Sequence, residues 1–396
     1  MILRQKFLAH VGQTSPSPLL VEVERAEGVF LYTPEGKCYF DLISGVSVCN
    51  VGHSNPVVKE AIKRQVDSYM HTMVYGETVQ RVQVEFAEEL SKVLPEDIDS
   101  VYFLNSGAEA IEGAMKLAKR ATGRTEIISM MGAYHGSTHG ALSIQGGEEY
   151  KTAFRPLLSD VRQIRFNNFE DLELITQRTA CVVSEVVQGE AGVIVPKEGY
   201  LEALSARCKS VGALLVIDEI QTGLGRTGEL FASTKYGVKP DIICMAKALG
   251  GGLPLGAFAA NRATMMTLTE NPVLGHITTF GGNPVCCAAG LSALRYIQNN
   301  DLCKRASAMG ELFERELGGV EGVVEIRRSG LIMAVELGSS QRLFDIMDEF
   351  KECGIMSDWF LFCDTAFRIS PPLTITEKEV REVCQLIKSA INKIIK

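Results

Sequence analysis

No uninterrupted apolar stretch in this chain approaches the ~20 residues that a membrane-crossing helix needs. The opening residues, Met1 to Pro16, mix charges with small polar side chains and lack an apolar core of the secretory type, so no signal segment is expected. Basic clusters are equally scarce. None is longer than Lys119-Arg120 or Arg327-Arg328, and the net charge is −8, so neither a nucleic-acid nor a membrane partner is expected. The six histidines form no His-Glu-x-x-His pattern, and no paired Cys-x-x-Cys occurs; no metal site is indicated. Disulfides are not expected either. The 11 cysteines are odd in number, scattered, and often set within apolar runs, as at Cys181, Cys244, Cys286 and Cys287. That is the usage of buried free thiols in a reducing compartment, which predicts a cytoplasmic protein.

What the chain does have is an ordinary globular balance, 46% hydrophobic and 22% charged, over 396 residues, enough for two or more domains. Its chemistry concentrates between Ala213 and Gly256. Leu214–Ile217 is an apolar run of strand length ending at Asp218 and Glu219; a second run, Ile242–Met245, leads to Lys247 and the triplet Gly250–Gly252. Ligands of open α/β sheets bind beyond the carboxyl ends of the strands, so Asp218 and Lys247 can face one crevice. An amine there is a candidate for a Schiff base with a carbonyl cofactor, and a buried acid can keep a pyridinium nitrogen protonated. Taken singly, each also reads as a loop cap or a solvated lysine; the combination carries the argument. Gly223, Gly225 and Gly228 match a dinucleotide-binding pattern, but five residues, two of them acids, separate them from the strand, and no helical periodicity follows.

Elsewhere, residues 18 to 43 read as a small antiparallel unit with strands at 20–23, 29–32 and 38–41 and a turn at 34–37, where Gly36 suits positive φ. Helices are predicted at 57–71 and 80–94. Strand 101–104 leads into Asn105-Ser106-Gly107-Ala108-Glu109, where Ser106 and Glu109 form a capping box at a helix start suited to phosphate. Strand 126–129 precedes Tyr134 among glycines, where an aromatic can stack on a planar ring. Residues 148–180 read as loop and helix, strand 181–185 ends at Glu185, and a helix occupies 198–211. Strand and helix alternate from 101 to 260, which predicts a largely parallel sheet. Beyond a long helix at 284–299, an α+β order follows: helix 301–317, strands near 323–327 and 331–337, helix 340–353, strand 366–370 and helix 376–395. Arg368 lies in an apolar strand and calls for a carboxylate partner.

These motifs resemble the class III aminotransferases, fold-type I pyridoxal-phosphate enzymes. The resemblance rests on Asn105–Ala110, Tyr134-His135-Gly136, Gln188-Gly189-Glu190, Ile217–Gly228, Pro240-Asp241-Ile242, Ala246–Gly252, Thr279–Pro284, and Arg368 before Pro371-Pro372. They occur in family order over nearly the whole chain. The resemblance implies an α/β fold with a mostly parallel large-domain sheet and a smaller α+β domain, divided as 1–48 (N-terminal segment joining the small domain), 49–290 (cofactor-binding domain) and 291–396 (small domain). Lys247 resembles the Schiff-base lysine that also moves the proton, and Asp218 the partner of the pyridine nitrogen. Tyr134 resembles the residue stacked on the ring, with His135 beside it, Gln221 near the phenolic oxygen, and Glu185 behind them. Ser106, Gly107 and Ala108 match the phosphate cradle, and Thr279 the residue that reaches the phosphate from the other subunit of a homodimer.

Glu190 and Arg368 resemble a pair in which the glutamate masks the arginine until a dicarboxylic acceptor arrives, which implies 2-oxoglutarate on one side and an ω-amino or diamine donor on the other. The donor pattern departs from the ornithine type at Ser137 and Val46, and Val186 replaces a usual proline. Two other readings share the fold: an aminomutase or racemase, and a non-catalytic binding protein.

Overall fold

The computed structural model describes residues 2–395. Near its start, β1 (Arg25–Glu27), β2 (Phe30–Tyr32) and β3 (Cys38–Asp41) form an antiparallel ladder. The first strand is not at 20–23. Glu27 pairs with Phe30 across the two-residue turn Gly28-Val29, with Gly28 at φ 58°, and that tight turn sets Arg25 opposite Tyr32. Leu20–Val23 therefore lies past the end of β2, with no strand to pair with. The expected turn at 34–37 is present, with Gly36 at φ 85°.

The central sheet contains β4 (Ser100–Leu104), β5 (Glu126–Met130), β6 (Val161–Ile164), β7 (Thr179–Glu185), β8 (Leu214–Asp218), β9 (Ile242–Met245) and β10 (Gly256–Ala260), in spatial order β4-β10-β9-β8-β7-β5-β6. Six of these strands run in one direction; β10 alone is reversed, lying antiparallel between β4 and β9. Strand β6 falls where loop and helix were expected. Its Val-Arg-Gln-Ile sequence has two adjacent polar residues at its centre, as a partly exposed edge strand allows, so it carries no apolar run to betray it.

The interior strands are apolar through their middles because both faces are covered. Ile128, Val182, Leu215 and Ile217 pack toward the Tyr200–Val211 helix, while Ile127, Cys181, Val183 and Val216 pack toward the Gly107–Thr122 helix. That second helix is held at both ends. Ser106 caps its start and Gly123, at φ 67°, terminates it.

A third sheet follows: β11 (Glu325–Ser329), β12 (Ile332–Glu336), β14 (Trp359–Phe360) and β15 (Cys363–Ile369) in order β11-β12-β15-β14. Between them β13 (Ile355–Met356) pairs in parallel with β3, so the first ladder is completed by the C-terminal part of the chain. Helices Ser340–Cys353 and Glu377–Ile395 pack beside this sheet. Among the described residues, no helix is long and apolar enough to cross a membrane.

Arg226 fastens these parts together. It is fully buried in the glycine-rich loop after β8 and donates to Leu331 O (2.9 Å), Pro371 O (2.6 Å), Ser44 Oγ (3.1 Å) and Asn50 Oδ1 (2.6 Å). None of the four acceptors is a carboxylate. Burial pulls its pKa down to about 9, against the pull of Asp41 and Cys49 in the other direction. Because each acceptor is itself buried, removing the donor leaves several polar groups unpaired. Arg226→Met is therefore expected to cost on the order of 3 kcal/mol, read as a fall in the thermal unfolding midpoint; an unchanged midpoint would show the tie to be energetically empty.

Candidate active site

Strand register brings the acids together. Glu185 at the end of β7 lies opposite Asp218 at the end of β8, and Asp218 lies opposite Cys244 in β9. Lys247 follows three residues after Cys244, with φ at 49°, a left-handed backbone that a lysine holds only under constraint from its surroundings. All three reach a cavity of about 380 Å³. Ser106, Gly107, Ala108, Tyr134, His135, Glu190 and Gln221 also line it, so ten of the twelve expected site residues meet there.

Asp218 is fixed by two bonds. Its Oδ2 lies 2.7 Å from His135 Nδ1, and its Oδ1 accepts the Ile220 N–H at 2.9 Å. His135 is wholly buried; burial favours its neutral form, but the bond to Asp218 and the charge of Glu185 outweigh this and raise its pKa. Its Nε2 has no partner. Glu185 accepts the Gly189 N–H (3.0 Å) and the Tyr134 N–H (3.4 Å). Burial pushes its carboxyl up to about 7; His135 opposes the rise and Asp218 adds to it. The Lys247 ammonium is disfavoured by burial, which lowers its pKa against the attraction of Glu190, Asp218 and Glu185.

At one end of the cavity the Gly107–Thr122 helix begins. Ser106 Oγ accepts the Glu109 N–H at 3.2 Å. The return bond of the expected capping box is displaced by one residue, since the Glu109 carboxylate takes the Asn105 N–H at 2.7 Å. The amides of Gly107 and Ala108 precede the first helical bond, from Ala110 to Ser106, and are available to an anion. The wall there is close. A Cβ on Gly136 would lie 2.6 Å from Ala108 Cβ, and one on Gly189 would collide with Gln221 Oε1.

Arg368 lies outside the cavity wall but is joined to it through Glu190. Its Nη2 donates to both Glu190 oxygens, at 2.9 and 3.0 Å, while its Nε donates to Asp358 Oδ1 at 2.9 Å. The arginine thus has two carboxylate partners. Glu190 also accepts the Leu361 N–H at 3.1 Å and lies 3.5 Å from Gln221 Nε2; its pKa is lowered because Arg368 and Lys247 outweigh burial.

Thr279 is not brought to this cavity. It lines a separate depression with Glu109, Glu112 and His276. Sequence reasoning also missed Asp358, which has no motif around it, and Leu253-Pro254-Leu255, which line the cavity directly after the glycine triplet that flagged Lys247. Among the described residues no group of three or more His, Cys, Asp or Glu is arranged to hold a metal ion. A buried lysine, an anchored carboxylate with its histidine, an aromatic and free helix amides fit a phosphate-bearing pyridine aldehyde.

Known proteins agree with that geometry. The family model described as aminotransferase class-III matches residues 11–391. The chain is 38% identical to an acetylornithine aminotransferase of Archaeoglobus fulgidus over 385 residues, covering 96% of this chain and 97% of that one. It is 36% identical to a putrescine aminotransferase of Pectobacterium atrosepticum, with 92% and 81% covered. Among solved structures, an ornithine aminotransferase of Toxoplasma gondii superposes with a TM-score of 0.91 at 31% identity, over 100% of this chain and 96% of that one.

The Glu185 carboxyl yields a test of the electrostatics. Its folded pKa of about 7 lies above the ordinary 4.5, so its stabilising contribution is complete below pH 4.5 and is lost as pH rises through 7. Glu185→Gln removes this loss. In cofactor-free protein, the variant's stability relative to wild type is expected to climb between pH 4.5 and 7 and then level off, by up to about 3 kcal/mol. Urea denaturation across that range measures it; a flat difference would place Glu185 in a polar, solvated setting instead.

Proposed function

The chain belongs to the class III aminotransferases, and on that premise we propose that it moves the amino group of an ω-amino acid or diamine to 2-oxoglutarate. The single observation that carries this reading is the meeting, in one cavity, of Lys247, Asp218 and the N-terminus of the Gly107–Thr122 helix, with the Glu190–Arg368 pair at its side. Pyridoxal phosphate, on which the family depends, supplies an aldehyde reactive toward amines and a ring that accepts electrons.

The side chains around it divide the remaining work. Lys247 Nζ would tether the cofactor and, once released from it, would take the proton from the amine-bearing carbon of the donor. The lowered pKa of its ammonium makes the free base more available for that transfer. Asp218 would hold the cofactor's ring nitrogen and keep it protonated, with His135 fixing the direction of its carboxylate. The Gly107 and Ala108 amides, with Ser106, would bind the phosphate, Tyr134 and Gln221 would hold the ring, and Glu185 accepts the Tyr134 and Gly189 N–H groups behind them. Arg368 receives the far carboxylate of the acceptor once Glu190 has turned away, as a guanidinium takes a carboxylate through two parallel bonds.

A homodimer completes this reading. Thr279, outside its own chain's cavity, is taken as the partner subunit's contribution to the phosphate site. The two-domain division at residues 48 and 290 follows the same reading, with the β3–β13 pairing in its support. The eleven free thiols suit a cytoplasmic setting.

A donor screen with 2-oxoglutarate held fixed tests the whole proposal, comparing ornithine, acetylornithine, 4-aminobutyrate, putrescine, lysine and simple amines. Turnover of none of them, with glutamate never formed, would sink it. Lys247→Ala is expected to fold yet lose transamination by a factor on the order of 10³ or more. Borohydride treatment and mass spectrometry should find the cofactor attached to wild type and not to the variant. Arg368→Ala is expected to impair mainly the 2-oxoglutarate half-reaction; equal loss in both halves under single turnover contradicts its role.

A further inference from the structure

We propose that Asp358 is a positioning residue: the fixed counter-ion that keeps the Arg368 guanidinium turned toward an incoming carboxylate when Glu190 lets go. This rests on the reading of Glu190 and Arg368 given above. The two carboxylates on Arg368 are held in unlike ways. Asp358 is stitched to the arginine by main chain as well as side chain. The Arg368 N–H donates to Asp358 O at 2.8 Å, Nε donates to Asp358 Oδ1 at 2.9 Å, and the neighbouring Ser357 Oγ donates to Arg368 O at 2.7 Å. Glu190, 178 positions away in sequence, sits in the loop after β7 and touches Arg368 only through Nη2. The Asp358 main chain is paired to Arg368 itself along the β15 edge, whereas the Glu190 carboxylate is held to the arginine by side-chain bonds alone, with the Leu361 N–H as its other anchor.

The guanidinium itself shows what its free side is for. Phe360 lies under it, with Cζ 4.6 Å from the ring centroid. Its Nη1 is buried and has no partner. With Nε committed to Asp358, departure of Glu190 leaves the unpartnered Nη1 and an Nη2 retaining only a long, 3.4 Å bond to Trp359 O, the fork that one carboxylate takes up through two bonds. The charge count is the same before and after: one guanidinium, Asp358, and one further carboxylate, from Glu190 or from the acceptor. Without Asp358, Glu190 would be the sole counter-ion, and its exit would strand a buried cation free to rotate about its side chain.

The experiment compares cofactor-loaded wild type, Asp358→Ala, Asp358→Asn and Arg368→Ala by calorimetric binding of glutarate, an unreactive dicarboxylate, and by single turnover of each half-reaction. Asp358→Ala is expected to weaken glutarate and to lower kcat/KM for 2-oxoglutarate by about 10- to 100-fold, the worth of one hydrogen bond between charged groups. The loss should fall on KM, and the half-reaction with a simple diamine should stay near wild type. Asp358→Asn keeps an oxygen facing Nε and should recover part of the loss. Normal glutarate binding in Asp358→Ala alongside its loss in Arg368→Ala overturns the role of Asp358 alone, as does an equal fall of both half-reactions in the two Asp358 variants. Normal glutarate binding in Arg368→Ala removes the acceptor reading itself, and this inference with it.

Discussion

The parallel ladder β7-β8-β9 is the constraint on which the rest of the site depends. Its register sets Glu185 beside Asp218 and Asp218 beside Cys244, so the ends of three buried strands fix where two carboxylates and, three residues on, an amine must lie. His135 is bonded to Asp218 at 2.7 Å and fixes the direction of that carboxylate. Burial drives the Glu185 carboxyl up to about 7, with the neighbouring Asp218 adding to the rise and His135 opposing it, while two backbone amides hold it in place.

A sheet that places groups so firmly needs its flanks held equally firmly, and here the chain ends supply the hold. The hairpin β1–β3 is completed only by β13, and Arg226 gathers carbonyls and side chains from both terminal regions around the loop that follows Asp218. Those ties also fix the distance between Glu190, on the central sheet's loops, and Arg368, on the C-terminal sheet.

Much of this was legible in the sequence because the central strands are covered on both faces: an apolar run of four or five residues closed by an acid, as at Ile217-Asp218 or Ser184-Glu185, marks a buried strand end with little ambiguity. The helix start at Ser106 was equally clear, since capping chemistry is local. Where the structure departs, non-local pairing decides. Strand β6 is polar at both of its central residues and shows itself only through β5; Leu20–Val23 looks like a strand, but the turn at Gly28 leaves it no partner. Asp358 was invisible for the same reason. Nothing in Ser357-Asp358-Trp359 marks a site until β14 folds back along β15.

That fold-back bears on why a buried ion triad is tolerated. A guanidinium with one buried carboxylate forms a neutral pair whose desolvation is hard to recover, and a second carboxylate adds a charge that packing alone does not reward. Here the surplus acid faces a cavity containing Lys247, which helps to keep the Glu190 pKa low. The surplus charge is thus offset in part from outside the triad. A change of charge at Lys247 is therefore felt at Glu190, and through it at Arg368, so the lysine and the Glu190–Arg368 pair are electrostatically linked.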